Sequence, residues 1–190
     1  RQSILCWGNL SPQVQSSVIE RMNQRPELIA MDTMNFWMDI AMDDLKKTIS
    51  MVDLLTINDE EARQLSGEYS LLTAAQKIQE MGPKYLIIKK GEHGALLFHG
   101  KDMFYAPALL LPTVMDPTGA GDTFAGGFMG YLASTDDISF ENMKRALVYG
   151  SALASFTVQK FGTDKIKEVT VSELDERIDE FKSLMSFTHK

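Results

Sequence analysis

The chain has 190 residues and a formal net charge of −7, enough length for one well-buried domain and a balance that argues against a nucleic-acid or anionic-membrane surface. A single cysteine, Cys6, excludes a disulfide framework, and three scattered histidines exclude a Cys/His zinc site. No stretch reads as a signal peptide, transit peptide or spanning helix, so a cytoplasmic location is expected, and the twelve methionines read as flexible core filler.

In chain order, residues 4–7 read as a buried strand that includes Cys6. Ser11-Pro12 is a cap followed by proline at the first helical position, with Val14, Val18, Ile19 and Met22 as the buried stripe of a helix. A strand over residues 27–32 ends in Asp32-Thr33-Met34-Asn35, and a helix is expected over 36–49. Strand, helix, strand with apolar runs ending in polar residues is the pattern of a parallel sheet, in which ligands bind beyond the carboxyl ends of the strands. Asp32 and Asn35 are therefore candidates, although either can equally cap the next helix.

The strand over 52–57 closes on Asn58-Asp59-Glu60-Glu61. Asn58 and Glu61 lie on one face of a helix start, and the same spacing fits a capping interaction with Glu61 reaching back. A helix over 70–81 ends at Gly82-Pro83. The apolar strand over 85–88 then breaks into Lys89-Lys90-Gly91-Glu92-His93-Gly94, where Gly91 and Gly94 let the chain turn closely past a ligand. Lys89 suits an anion at the strand end or plain solvent, and His93 reads as a surface residue. Residues 95–98 and 103–105 complete a hairpin around Gly100-Lys101-Asp102.

The most informative stretch is 114–133. It is expected to begin as a strand end (Leu110, Leu111, Val114, Met115), turn through Pro117-Thr118-Gly119-Ala120-Gly121 and continue as an apolar helix. Unpaired peptide N–H groups of Gly119, Ala120 and Gly121 at that helix start would favour an anion. Asp122 would sit beside the anion, where a carboxylate makes sense as a base for an attacking hydroxyl. A tight turn capped by an Asp uses the same letters. A P-loop frame is absent, the dinucleotide fingerprint fails at Phe124, and the Gly126/Gly130 pair lies in an apolar run too short to span a bilayer. Further on, Ser139 caps a helix to about residue 160 whose 150–155 run is small on every face, suiting close helix packing or a flat ring. The turn Lys160-Phe161-Gly162-Thr163 follows, then a helix over 172–187 with Leu174, Ile178, Phe181 and Leu184 as its core face.

Asp116-Pro117-Thr118-Gly119-Ala120-Gly121-Asp122-Thr123-Phe124, followed by Ala125-Gly126-Gly127-Phe128, closely resembles the second signature of the ribokinase-like (PfkB) sugar kinases. The resemblance implies a ribokinase-like three-layer α/β/α fold with a mainly parallel central sheet. Residues 1–190 would form one α/β domain, the C-terminal nucleotide-binding part. The N-terminal portion, with the first glycine-rich signature, most sugar contacts and a small β lid, would lie outside this sequence.

By that resemblance Asp122 is the catalytic base, and Gly119, Ala120 and Gly121 form the anion hole. Asn58 and Glu61 match the family's Asn-x-x-Glu element, connected with Mg²⁺ through water, which suits an ion that keeps several waters. Lys89, Gly91 and Gly94 lie on the nucleotide side, with Ala152 and Ser155 near adenine. Asp116, Thr118 and Gly162 correspond to a monovalent-cation site, K⁺, found in some members. Asp32 and Asn35 fall where the family approaches phosphate or substrate, but Trp37 and Met38 stand where an Arg is usual. The activity implied is ATP- and Mg²⁺-dependent phosphorylation of a primary hydroxyl on a small sugar-like or nucleoside-like molecule, with a homodimer formed through the lid. The rivals are a non-catalytic nucleotide-binding module and a vitamin-alcohol kinase of the same fold.

Overall fold

The computed structural model describes residues 3–8 and 10–188. Strands β1 (Ile4–Trp7), β2 (Leu28–Asp32), β3 (Leu54–Asn58), β4 (Tyr85–Lys89), β5 (Ala95–His99) and β6 (Asp102–Ala106) form one six-stranded sheet in that spatial order. The first four run parallel, with Ala30 opposite Leu54 and Asn58 opposite Lys89. Their letters explain why: Leu54, Leu55, Ile57 and Leu86 through Ile88 are all fully buried, so both faces of the strands are covered and no polar alternation is possible.

The chain divides into two compact units, residues 1–90 with 96–104 and residues 91–95 with 105–190. The first holds α1 (Pro12–Arg21), α2 (Asn35–Ile40), α3 (Met42–Ile49), α4 (Asp59–Ser66) and α5 (Leu71–Glu80). Ile29, Met31, Leu55, Ile57, Leu86 and Ile88 from one sheet face pack with Leu45, Ile49, Ala62 and Ile78 from these helices. The second unit holds α6 (Ala120–Thr135), α7 (Phe140–Thr157) and α8 (Val171–Met185).

Several expectations are corrected. Strand β1 lies at the sheet edge with β2 as its neighbour, so its residues are half-buried and Cys6 is exposed rather than in the core. On α1, Val14 and Val18 face outward, and Pro12, Gln15 and Ser16 are buried in their place. The helix is held by polar anchors: Gln15 Nε2 donates to the Gly8 carbonyl at 3.1 Å, and Thr48 Oγ1 on α3 donates to the Pro12 carbonyl at 2.9 Å. The helix expected over 36–49 is two helices broken at Ala41 (φ −146), which places Asp43 and Asp44 in the first turn of α3, where the dipole favours them.

Residues 110–115 form no strand. Leu110 and Val114 are exposed, and the Met115 amide is taken by the Val158 carbonyl just past α7 at 2.8 Å, so apolar letters without a neighbouring strand do not pair. Helix α8 starts from Thr170, not Ser172: Thr170 and Glu173 form a reciprocal capping box, Ile178 and Phe181 are buried, and Leu184 is exposed.

Candidate active site

In the first unit, polar groups gather at the carboxyl ends of β2, β3 and β4. Lys89 Nζ lies 3.0 Å from both Asp32 Oδ1 and Oδ2, reaching from β4 to β2 across the strand between them. The Thr33 amide also donates to Asp32 Oδ1, at 3.1 Å. Two residues expected to serve different ligands are thus each other's partners. Asn35 enters through its backbone, donating to the Glu61 carboxylate.

Asn58 and Glu61 form a full capping box on α4: the Glu61 amide donates to Asn58 Oδ1 and the Asn58 amide to Glu61 Oε2, both at 2.8 Å. The capping alternative is therefore realised. It does not exclude a role toward a cation, because Glu61 is buried and feels both Lys89 and Asp32. Burial pushes its carboxyl above the ordinary range, against the Asn58 amide and the Lys89 ammonium, which pull it down.

Sequence reasoning missed Thr33 and Thr56. Both are buried, and neither Oγ1 has a hydrogen-bond partner. Thr56 is the register partner of Asp32 and so shares its sheet face. Its one signal was a hydroxyl inside the otherwise apolar 54–57 run, just before the strand's polar end. Unsatisfied buried hydroxyls beside carboxylates and an ammonium suit a site that takes a polar ligand or ion.

In the second unit, Gly119 is the N-cap of α6 in the left-handed region (φ 80), which a side chain would resist. Its carbonyl accepts the Thr123 amide at 2.9 Å. The Ala120 amide donates back to the Pro117 carbonyl at 3.2 Å, so one of the three amides expected to face an anion is engaged within the turn. Asp122 stands in the first turn of α6 and is exposed. Asp116 Oδ1 accepts the Thr118 amide at 2.9 Å; this bond, together with the Thr118 hydroxyl, lowers its carboxyl from the ordinary value. Asp116 and Thr118 thereby brace the turn, and Gly162 bends the chain after α7 at φ 58.

The small residues of α7 serve helix packing. A Cβ on Gly150 would lie 2.7 Å from the Phe124 carbonyl oxygen of α6. Ala152 is fully buried, and Ser155 Oγ donates to the Ala152 carbonyl and accepts from Arg177 Nη1 at 2.7 Å. Gly94 is likewise fixed by packing, since a Cβ there would come within 2.1 Å of the Ala106 carbonyl oxygen, whereas one on Gly91 would meet open space. A cavity of about 470 Å³ runs along α6 beyond Thr123, lined by Gly126, Gly130, Tyr131, Tyr149 and Leu153. Tyr131 and Tyr149 stack there at 4.2 Å between ring centroids.

The pattern of the pfkB family carbohydrate kinases matches residues 4–169. The chain belongs to that family. This pfkB-family chain is 35% identical to the cytidine kinase of Thermococcus kodakarensis over 89 residues, 46% of the chain and 32% of that enzyme. It is 32% identical to the ribokinase of Staphylococcus aureus over 119 residues, 60% of the chain and 38% of that enzyme. The pfkB-family matches thus span 32% and 38% of these relatives' lengths. Among solved structures, the fructokinase of Vibrio cholerae O395, in a form with fructose, ADP and calcium ion, superposes with a TM-score of 0.79 at 17% identity. That match covers 94% of the chain and 62% of the fructokinase, and it shows the ribokinase-like α/β fold class expected from the sequence.

Proposed function

We propose that this protein transfers the γ-phosphoryl group of ATP to a primary hydroxyl of a small sugar or sugar-like molecule. The observation that carries the reading is the turn of residues 116–122, which opens α6 on a left-handed glycine and leaves the Asp122 carboxylate exposed in the first helical turn. Cytidine kinase, ribokinase and fructokinase among the relatives support a sugar or nucleoside acceptor. A nucleoside offers the same kind of ribose hydroxyl and is the second reading, favoured by the cytidine kinase match.

ATP would supply the phosphoryl group, and Mg²⁺ would neutralise the charge on it. Among the described residues no three His, Cys, Asp or Glu side chains converge into a metal cage. Mg²⁺ asks for less: one or two carboxylates plus waters and phosphate oxygens suffice. Glu61 with Asp32 fits that need, and the unpartnered Thr56 hydroxyl on the same sheet face as Asp32 is a further oxygen whose hydrogen-bonding capacity is unused.

Asp122 would accept the proton of the acceptor hydroxyl. The helix dipole favours its ionised form and so makes it a weak base, but a loose phosphoryl-transfer transition state asks for little proton abstraction until late, so placing the hydroxyl matters more than basicity. With the Ala120 amide turned to Pro117, the amides of Gly119 and Gly121 are left to carry the anion-hole role. Asp116 and Thr118 hold that turn in shape. A K⁺ ion at this turn and a homodimer are further parts of the reading. No helix among the described residues is long and apolar enough to cross a membrane, and the cytoplasm is the compartment proposed.

The test is Asp122→Asn in the intact protein, followed by ADP release across sugars, nucleosides and vitamin alcohols. Turnover should fall by about 10²–10⁴-fold with nucleotide binding kept. Near-normal turnover would overturn the role of Asp122. Nucleotide binding without ADP release for any acceptor would favour a non-catalytic nucleotide-binding module.

A further inference from the structure

The Asp32–Lys89 pair has an organisation that phosphoryl transfer alone does not call for. A lysine offered to a phosphate has no need of a carboxylate gripping it through both oxygens, yet Lys89 is held that way, with both side chains about four-fifths buried. Asp32 is fixed in turn by the Thr33 amide. A second carboxylate, Glu61, lies close enough to be pulled by the Lys89 charge and pushed by that of Asp32. Thr56 Oγ1, on the same sheet face as Asp32, is buried without a partner. Two carboxylates, one ammonium and an unmet hydroxyl, brought together from β2, β3, β4 and the start of α4, have the chemistry of a cation site whose cation is a side chain.

We propose that the Lys89 ammonium is a resident counter-ion of this site, and that a divalent cation displaces it from Asp32, releasing Lys89 toward the anion arriving with the metal. The exchange couples two binding events. While Lys89 sits on Asp32, the carboxylates are partly neutralised and attract a free metal weakly, and the ammonium is partly neutralised and attracts a free phosphate weakly. A metal–polyphosphate complex satisfies both at once: the cation replaces the ammonium, and the ammonium gains phosphate oxygens. The metal half depends on this chain's own groups alone, whereas the phosphate half rests on the kinase reading above.

The decisive measurement is Mn²⁺ binding to the intact protein without nucleotide, by electron paramagnetic resonance of the free ion, with thermal unfolding recorded for every variant. Lys89→Met should bind Mn²⁺ at least about tenfold more tightly than the parent, because the carboxylates lose their competitor. Lys89→Gln, which keeps a hydrogen bond to Asp32 without the charge, should do the same and serves if the methionine variant does not fold. Asp32→Asn should abolish the gain in combination with either change. Unchanged or weaker Mn²⁺ binding in folded Lys89→Met or Lys89→Gln overturns the proposal, as does an equal gain in the Asp32→Asn background. ADP binding measured in parallel judges the kinase reading separately: its absence would sink that reading while the Mn²⁺ titration still decides the exchange.

Discussion

Gly150 of α7 lies so close to Phe124 of α6 that any Cβ on it would come 2.7 Å from the Phe124 carbonyl oxygen. Backbone cannot yield there as a side-chain end could, so the small run of α7 is a packing device. Gly150→Ala should cost about 1–3 kcal/mol, as overpacking does. Gly126→Ala, where a Cβ meets nothing within 4 Å, should gain about 0.5–1 kcal/mol from the better helix former. Urea unfolding of the two variants checks the contrast; equal effects would show that α6 and α7 do not meet as described.

The turned face of α1 is tested in the same way. Val14→Ser and Val18→Ser should change stability by less than about 0.5 kcal/mol each, as exposed substitutions do. Thr48→Val should cost about 1 kcal/mol, because it removes the hydroxyl that donates to the Pro12 carbonyl. Larger losses at the valines would return them to a core.

Glu173 gives a pH dependence with a definite sign. Its carboxylate accepts from the Thr170 amide and hydroxyl and from Lys165, which together lower its pKa to about 2. A group depressed in the folded state contributes stability above its unfolded value of 4.5 and loses it as pH falls toward about 2. The parent should therefore exceed Glu173→Gln in melting temperature at neutral pH, and the gap should close on acidification through that window. A gap that is flat with pH would remove the carboxylate from the account.

Cys6 is the one thiol in the chain, and it is exposed on the edge strand. Desolvation first, and the Asp32 charge second, raise its pKa above the ordinary 9.0. Because the thiolate is the reactive form, alkylation at pH 8 should run slower than for free cysteine, and its rate should keep rising with pH past the point where free cysteine levels off. Asp32→Asn should speed it modestly. A rate matching free cysteine across the pH range would contradict the electrostatic surroundings described.

Much of the architecture was legible in the letters because it is locally encoded. Largely apolar runs, broken only by Thr56 in β3, marked β2, β3 and β4 as strands buried on both faces, and the glycine turn before α6 announced itself through residues that few other structures need. The errors fell where local pattern underdetermines environment. Val14 and Val18 have a helical stripe's spacing, but spacing names a face without saying which way it points. Leu110 and Val114 have a strand's letters without a strand beside them.

The candidate site divides along the same line. Asp122 and its glycine turn are contiguous in sequence, so the sequence alone named them, and it also placed Asn58 and Glu61 on one helix turn with either capping or metal chemistry open. Only the tertiary structure decided that Lys89 belongs to Asp32, 57 positions away, and that Thr56 lies on the same face without a partner. Strand order and register set those pairings, and side-chain identity at any one position carries no record of which strand will lie beside it.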